Sequence, residues 1–273
     1  MLIIGELINS TRKRIRTAVE NRDASYIKEV AVKQAEARAS ILDVNGGIAG
    51  QEPECLSWLV NVVQDAVDLP LCLDSSDPAA LRAALPLCKQ RPTINSIPDE
   101  KARFEEVLPL LKEYRAKVIA LCMSESGPPS GVEDRLATAS RLVDRLTAES
   151  MELDDIYVDP CAMPVSTGPQ HGISVAEAIS RIMARYPGVH TSVGLSNVSF
   201  GLPLRKLVNE NFIVLLMSRG LDAAIADPCD RQLMANIAAA EALLGRDEYC
   251  VEYLRAFRAG RLEIPAPQAV ALR

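Results

Sequence analysis

Eight short apolar runs, each followed by a longer stretch with helical periodicity, constrain the fold of this chain more than any other feature. The runs are Leu2–Gly5, Ile41–Asn45, Pro70–Asp74, Thr93–Ser96, Val118–Met123, Ile156–Asp159, Ser192–Ser196 and Ala223–Asp227. They are apolar without strict alternation, as parallel strands are when helices cover one face and a packed interior lies against the other. Between them, Ser25–Ser40, Pro53–Val67, Glu100–Tyr114, Gly131–Ser150, Ser174–Tyr186, Leu204–Arg219 and Asp230–Leu244 read as helices, with one more over Asp247–Ala259. Within Pro53–Val67, residues Leu56, Val60, Val63 and Val67 recur at three- and four-residue steps. Asp77-Pro78 is a helix start, a capping acid followed by proline at the first helical position. Eight strand-then-helix units in 273 residues read as an α/β chain folded into a (β/α)8 TIM barrel, which needs about 250 residues. A doubly wound open sheet is the alternative. It is weakened because no Gly-x-Gly-x-x-Gly turn follows the first strand, and there is no Walker loop. Residues 1–262 then form one domain and 263–273 a tail containing Pro265 and Pro267.

Composition narrows the function classes. Aromatics are 4% of the chain, so Ala, Leu, Ile and Val must build the core. Acidic residues number 36 against 30 basic, a net charge of -6, which opposes a nucleic-acid surface. Seven Cys stand at 55, 72, 88, 122, 161, 229 and 250, with no C-x-x-C and only His171 and His190 beside them. That is poor material for a zinc cage, and free, mostly buried thiols in a reducing cytosol are the better reading. The N-terminus has no basic segment leading into a long apolar one, and no run approaches the roughly 20 apolar residues of a membrane span. The expectation is a cytoplasmic protein without membrane or nucleic-acid partners and without a metal of its own.

In a TIM barrel the active site lies at the C-terminal ends of the strands. Strand one ends at Glu6 and Asn9, strand two at Asp43-Val44-Asn45-Gly46-Gly47, strand three at Asp74-Ser75-Ser76 and strand four at Asn95-Ser96. Strand five ends at Ser124-Glu125, strand six at Asp159-Pro160, strand seven at Ser196-Asn197 and strand eight at Asp227. Nearly all are Asp or Asn, and none is Lys or Arg. Such a rim suits a neutral ligand rich in N–H donors and ring nitrogens rather than a phosphate. Any one of these residues is equally a turn former or helix cap; eight strands ending alike say more than any single position. A carboxylate metal site drawn from Asp43, Asp74 and Asp159 has no His beside it. His171 and His190 lack a Gly-x-Ser-x-Gly setting for acyl transfer. Met123, Met163 and Trp58 read as packing. Arg12-Lys13-Arg14 reads as a solvated loop after strand one, within reach of a ligand's anionic tail.

The motifs Gly5-Glu6-Leu7-Ile8-Asn9, Leu42-Asp43-Val44-Asn45-Gly46, Leu73-Asp74-Ser75, Ile94-Asn95-Ser96, Tyr157-Val158-Asp159-Pro160, Gly194-Leu195-Ser196-Asn197-Val198-Ser199 and Gly220–Asp227 resemble those of the methyltetrahydrofolate:corrinoid methyltransferases. Several are similar to the folate domain of cobalamin-dependent methionine synthase. The resemblance spans roughly residues 1–260 and implies a pterin-binding, dihydropteroate-synthase-like TIM barrel. It implies that Asp74, Asn95 and Asp159 bind the pterin, that Asn197 reaches N5 of the reduced ring, and that Asp159 and Asn197 serve catalysis. Asp43 and Asn45 would shape the floor, and Glu6 would hold the network from below. Ser196 and Ser199 flank the strand-seven loop, and Arg205 would lie near the ligand. The substrates implied are tetrahydrofolate and 5-methyltetrahydrofolate, with cobalamin supplied by a separate corrinoid protein, because no Asp-x-His-x-x-Gly motif is present. A homodimer is implied as well.

The loops Met123–Pro129, Val165–His171 and Phe200–Leu204 depart from the acetogenic members of that family. The departure points to a corrinoid partner from a catabolic demethylation system, such as one fed by glycine betaine, with methyl passing from methylcorrinoid to tetrahydrofolate. Two other readings stay open. Dihydropteroate synthase shares the barrel, but it needs a Lys-containing loop after strand six and an Arg-x-His after strand eight. Here Pro160-Cys161-Ala162-Met163-Pro164 and Asp227-Pro228-Cys229-Asp230 stand in those places. The other is a non-catalytic pterin-binding subunit.

Overall fold

A computed structural model of the chain describes residues 1–262; the tail expected over 263–273 lies outside the described residues. The first half runs β1 (Leu2–Asn9), α1 (Lys13–Glu20), α2 (Ala24–Glu36), β2 (Ile41–Asn45), α3 (Glu52–Gln64), β3 (Leu71–Asp74), α4 (Pro78–Ala84), β4 (Thr93–Asp99) and α5 (Lys101–Tyr114). The second runs β5 (Lys117–Ser124), α6 (Val132–Ala148), β6 (Ile156–Asp159), α7 (His171–Arg185), β7 (His190–Thr191), α8 (Arg205–Met217), β8 (Ala223–Ala226), α9 (Arg231–Leu243) and α10 (Val251–Arg258). The strands are parallel in the order β7-β6-β5-β4-β3-β2-β1-β8. The ring closes between its two ends, where the Ile225 amide donates to the Val193 carbonyl at 2.9 Å and Gly194 bridges to Ile225. The expected (β/α)8 barrel is the fold.

The two-residue period of a strand explains why the runs look continuously apolar. Leu42, Val44, Leu71, Leu73, Ile94, Val118 and Val158 face outward into one cluster with the helices. Leu2, Ile4, Ile41, Cys72, Ile119, Tyr157, Ala223 and Ile225 point inward and plug the barrel. Two residues further along the same inner rows come Glu6, Asp43, Asp74 and Asp159. The barrel interior therefore changes from apolar to acidic along its axis. In α3, Leu56, Leu59, Val60 and Val63 are fully buried, each contributing roughly 1.5–3 kcal/mol. Asp77 caps α4 as expected, accepting from the Ala79 amide at 2.9 Å.

Two expectations are corrected. The seventh strand pairs only over His190–Thr191, and Leu195–Asn197 is a single 3-10 turn rather than the end of a strand. The backbone stays zipped through Ser192 N to Val158 O at 2.9 Å, then turns away at Gly194. Lys13 and Arg14 open helix α1 rather than a loop: Ile15, Ala18 and Val19 are buried at helical spacing, a pattern hidden in sequence by the cations between them.

Candidate active site

At the C-terminal end of the barrel the polar strand ends converge in two groups. In the first, Asp74 Oδ2 accepts from Asn45 Nδ2 at 3.0 Å and from Asn9 Nδ2 at 3.5 Å. Asn95 Nδ2 donates to Asp43 Oδ1 at 3.2 Å. Four adjacent strands thus present carboxylates and amides paired in two sets. In the second group, Asp159 accepts from two backbone amides, Cys161 N at 2.8 Å and Gly194 N at 3.2 Å. The Ser196 hydroxyl donates to Glu6 at 3.0 Å, and Arg12 pairs with the same carboxylate at 2.8 Å. Arg205 braces the β7–α8 loop, donating to Ser199 Oγ at 3.1 Å and to the Ser196 carbonyl at 2.5 Å.

Asn197 differs from the other amides of the site. Its side chain is exposed, and no hydrogen bond from a described residue engages it. Gly194 makes room for it: a Cβ at that position would lie 3.0 Å from Asn197 Nδ2.

The acids of the site are all shifted upward. Burial is the largest cause for each. It pushes Asp74 and Asp159 up to about 6, raises Glu6 against the pull of Arg12, and raises Asp43, with Asp74 beside it, well above the usual carboxylate range. Carboxylates removed from water with few charge partners are unstable when ionised. They gain when a ligand brings N–H donors to them. Raised carboxylates gathered at one end of a barrel make this cluster a candidate binding site.

Not every strand end joins this cluster. Glu125, after β5, accepts from the Lys101 amide at 2.9 Å and so caps α5. Asp227 accepts from the Cys229 amide at 2.9 Å, a turn role. His171 is bonded to the Pro164 carbonyl at 2.9 Å. His190 lies at the opposite end of the barrel between Asp222 and Asp154, at 2.6 and 3.0 Å. Among the described residues no group of three or more His, Cys, Asp or Glu could hold a metal ion. A cavity of about 750 Å³ between α2, α9 and α10 includes none of these strand-end groups.

One supporting residue is absent from the sequence reading. Arg135 on α6 is 0% exposed, yet it touches no carboxylate. It donates to the carbonyls of Pro160 at 2.8 Å, Cys161 at 3.1 Å and Gly131 at 3.1 Å. It thereby fixes the turn whose Cys161 amide bonds Asp159, and its charge also helps Asp159 ionise. In sequence it follows Glu133 and Asp134 and looks like part of a solvated face; nothing there marks it as buried.

Comparison with known proteins puts names beside this geometry. Residues 5–227 match the family described as pterin binding enzymes. The chain is 38% identical over 265 residues to a methylcorrinoid:tetrahydrofolate methyltransferase of Eubacterium limosum, covering 96% of this chain and 98% of that one. It is 30% identical over 239 residues to the methionine synthase of Mycobacterium tuberculosis, covering 82% of this chain but only 20% of that much longer protein. Among solved structures, a dihydropteroate synthase of Yersinia pestis in complex with a sulfonamide drug superposes with a TM-score of 0.69 at 14% identity, covering 90% of this chain and 94% of that one. One from Xanthomonas albilineans gives 0.67 at 18%, covering 89% and 93%. At those identities the likeness is one of fold.

Proposed function

The chain belongs to the pterin binding enzyme family, and on that footing we propose that it moves a methyl group between N5 of tetrahydrofolate and the cobalt of a corrinoid carried by a separate protein. The relative from Eubacterium limosum, matched over 98% of its length, supports the direction from methylcorrinoid to tetrahydrofolate. Asp74, Asn95 and Asp159 would take the amino, ring N–H and carbonyl edge of the pterin, above a floor made by Asp43 and Asn45. Asp159 and the free Asn197 amide would stand closest to the chemistry. Glu6 and Ser196, tied to each other at 3.0 Å, and Arg205 would hold the strand-seven loop in position.

In the proposed reaction N5 attacks the methyl carbon. The N5–C bond forms as the Co–C bond breaks, the electron pair stays on cobalt to give cob(I)amide, and N5 ends by releasing its proton. Positive charge builds on N5 in the transition state. A side-chain amide oxygen aimed at N5 stabilises that charge and binds the uncharged amine less well, so it favours the transition state over the ground state. In the reverse direction the same contact favours protonated N5, which makes the pterin a neutral leaving group. Cobalt and N5 supply both reacting partners, so the protein needs no nucleophile of its own.

The observation that carries the reading from pterin binding to methyl transfer is Asn197, an amide without a hydrogen bond among the described residues, lying against Gly194, whose own amide bonds Asp159. Its test is Asn197→Ala. Turnover should fall about a hundredfold while the folate dissociation constant changes by less than about threefold. A loss confined to folate binding would remove Asn197 from the chemistry. Dihydropteroate synthesis is disfavoured by the sequence after β6, where Pro160–Pro164 offers no lysine.

The same reading includes a cytoplasmic homodimer. The cysteines are free, which suits a reducing compartment. Ile173, Leu207 and Leu215 are exposed around an apolar cleft between α7 and α8, a surface suited to a second copy.

A further inference from the structure

We propose that Arg103 and Arg135 are positioning residues for this reaction. Each anchors the turn just past a pterin-facing aspartate, Asp74 or Asp159, and lends that aspartate its charge without binding its oxygens. The aspartate then meets the ligand ionised and with acceptor sites open. This deepens the reading above and rests on it.

The two arginines come from different helices and end alike. Arg103, near the start of α5, donates through Nη2 to the carbonyl of Ser75, the residue after Asp74. Arg135, near the start of α6, donates to the carbonyls of Pro160 and Cys161, the two residues after Asp159, at 2.8 and 3.1 Å. Among the described residues neither pairs with a carboxylate. Both positions are unfavourable for a cation. The helix field opposes positive charge at that end, burial disfavours the charge of each, and Arg103 Nε is buried without a partner. Cys161 sits at φ +60°, a left-handed conformation that a non-glycine residue holds when its surroundings impose it. The Arg135 fork, closed over the carbonyls of Pro160 and Cys161, imposes it and aims the Cys161 amide at Asp159, 2.8 Å away. The turn after Asp74 is held in three ways: the Ser75 amide donates to the Asn95 carbonyl at 3.0 Å, its hydroxyl donates to Glu52, and its carbonyl accepts from Arg103.

A direct ion pair could not do the same. A bidentate guanidinium would occupy both oxygens of a carboxylate. Here Asp74 gives one oxygen to Asn45 and Asn9, and Asp159 accepts from two backbone amides, which leaves acceptor sites for N–H donors of a ligand. Each cation still favours ionisation of its aspartate. Few other charges face them. Asp74 faces Glu52 on α3, which opposes ionisation more strongly than Arg103 favours it, and Asp43 on β2, itself raised. Among the described residues Arg135 is the charged group that faces Asp159, beside the Cys122 and Cys161 thiols, which burial keeps protonated. Without Arg103, Glu52 acts on Asp74 unopposed. Without Arg135, burial of Asp159 is countered by two amides alone, one of them on a turn that has lost its brace.

The test is the pH dependence of tetrahydrofolate binding by the full chain, followed by anaerobic titration calorimetry from about pH 5 to about pH 9. Loss of a nearby cation raises the pKa of a carboxyl group, and ligand donors need the ionised form. The midpoint of the affinity profile should therefore move up by about one pH unit in Arg135→Met and in Arg103→Met. Near pH 9, where the aspartates ionise regardless, affinity should return to within about threefold of the wild type. Arg135→Lys and Arg103→Lys keep the charge and should keep the wild-type midpoint. Carbon-13 titration of the aspartate carboxyl groups in the ligand-free protein should show the same upward move. Half-buried Arg103 carries the test should Arg135→Met fail to fold. An unchanged midpoint overturns the proposal. So does a loss of affinity equal at every pH, which would make the arginines structural only, and so does a midpoint that moves as far with lysine as with methionine. Unshifted variants of a protein that binds tetrahydrofolate sink this inference alone, whereas a wild-type protein that binds none at any pH sinks the pterin-site reading and this inference with it.

Discussion

Asp74 and Asp159, both pushed up to about 6 by burial, give the site a pH dependence with two opposite signs. Their folded values lie above the ordinary aspartate value of about 3.9. In the free protein their contribution to stability is therefore fully present below about pH 4 and is lost as pH rises through about 6. Ligand binding runs the other way, because donors on a pterin edge need ionised acceptors. Folate affinity should be full above pH 7 and about tenfold or more weaker at pH 5. Equilibrium binding at the two pH values checks this, and a flat profile would mean that these carboxylates do not face the ligand. Asp74 and Asp159 end β3 and β6 as the sequence pattern predicts, whereas Asn95 lies within a longer β4 and Asn197 on a 3-10 turn beyond the seventh strand. Arg135 cannot be picked out of the sequence, because its burial depends on the carbonyls of a loop 25 residues away.

At the scale of elements, the seam between β7 and β8 is the least regular part of the barrel, and a side chain helps hold it. His190 lies between Asp222 on the β8 side at 2.6 Å and Asp154 before β6 at 3.0 Å, and stacks on Tyr157 at 4.8 Å. Hydrogen bonding to Asp222 is the largest cause raising its pKa. Its stabilisation is thus fully present below the unfolded value of about 6.5 and is lost as pH rises through the raised folded value. His190→Gln should cost about 1 kcal/mol at pH 5.5, a figure kept small by its partial exposure, and less at pH 9. Equal losses at both pH values in urea denaturation would contradict that role. Sequence pattern alone shifts the seventh strand toward the C-terminus, because Ser192, Val193 and Leu195 have the composition of a strand, whereas the paired residues are His190–Thr191. The closing contacts instead come from Val193 and Gly194 meeting Ile225, a long-range pairing that local pattern does not contain. α1 is hidden for the opposite reason: its buried Ile15, Ala18 and Val19 stand among Arg and Lys that read as a loop.

At the scale of the molecule, the described residues make one barrel whose inner rows pass from an apolar plug to an acidic mouth. Methyl transfer at that mouth needs the corrinoid to approach from outside, so a second copy seated in the α7–α8 cleft, which reaches Val165 and Val198, must leave the face carrying Asn197 open. The exposed Leu207, at 58%, lies at the α7–α8 cleft. Leu207→Glu should turn a dimer into a monomer in sedimentation velocity while leaving turnover with free cobalamin intact; an unchanged sedimentation coefficient would move the interface off this face. The most direct measurement of all is a visible spectrum. Methylcobalamin and tetrahydrofolate mixed with the protein under anaerobic conditions should give the cob(I)alamin absorption together with 5-methyltetrahydrofolate, and cob(I)alamin with 5-methyltetrahydrofolate should give methylcobalamin. No spectral change in either direction, from protein that binds tetrahydrofolate, would contradict methyl transfer.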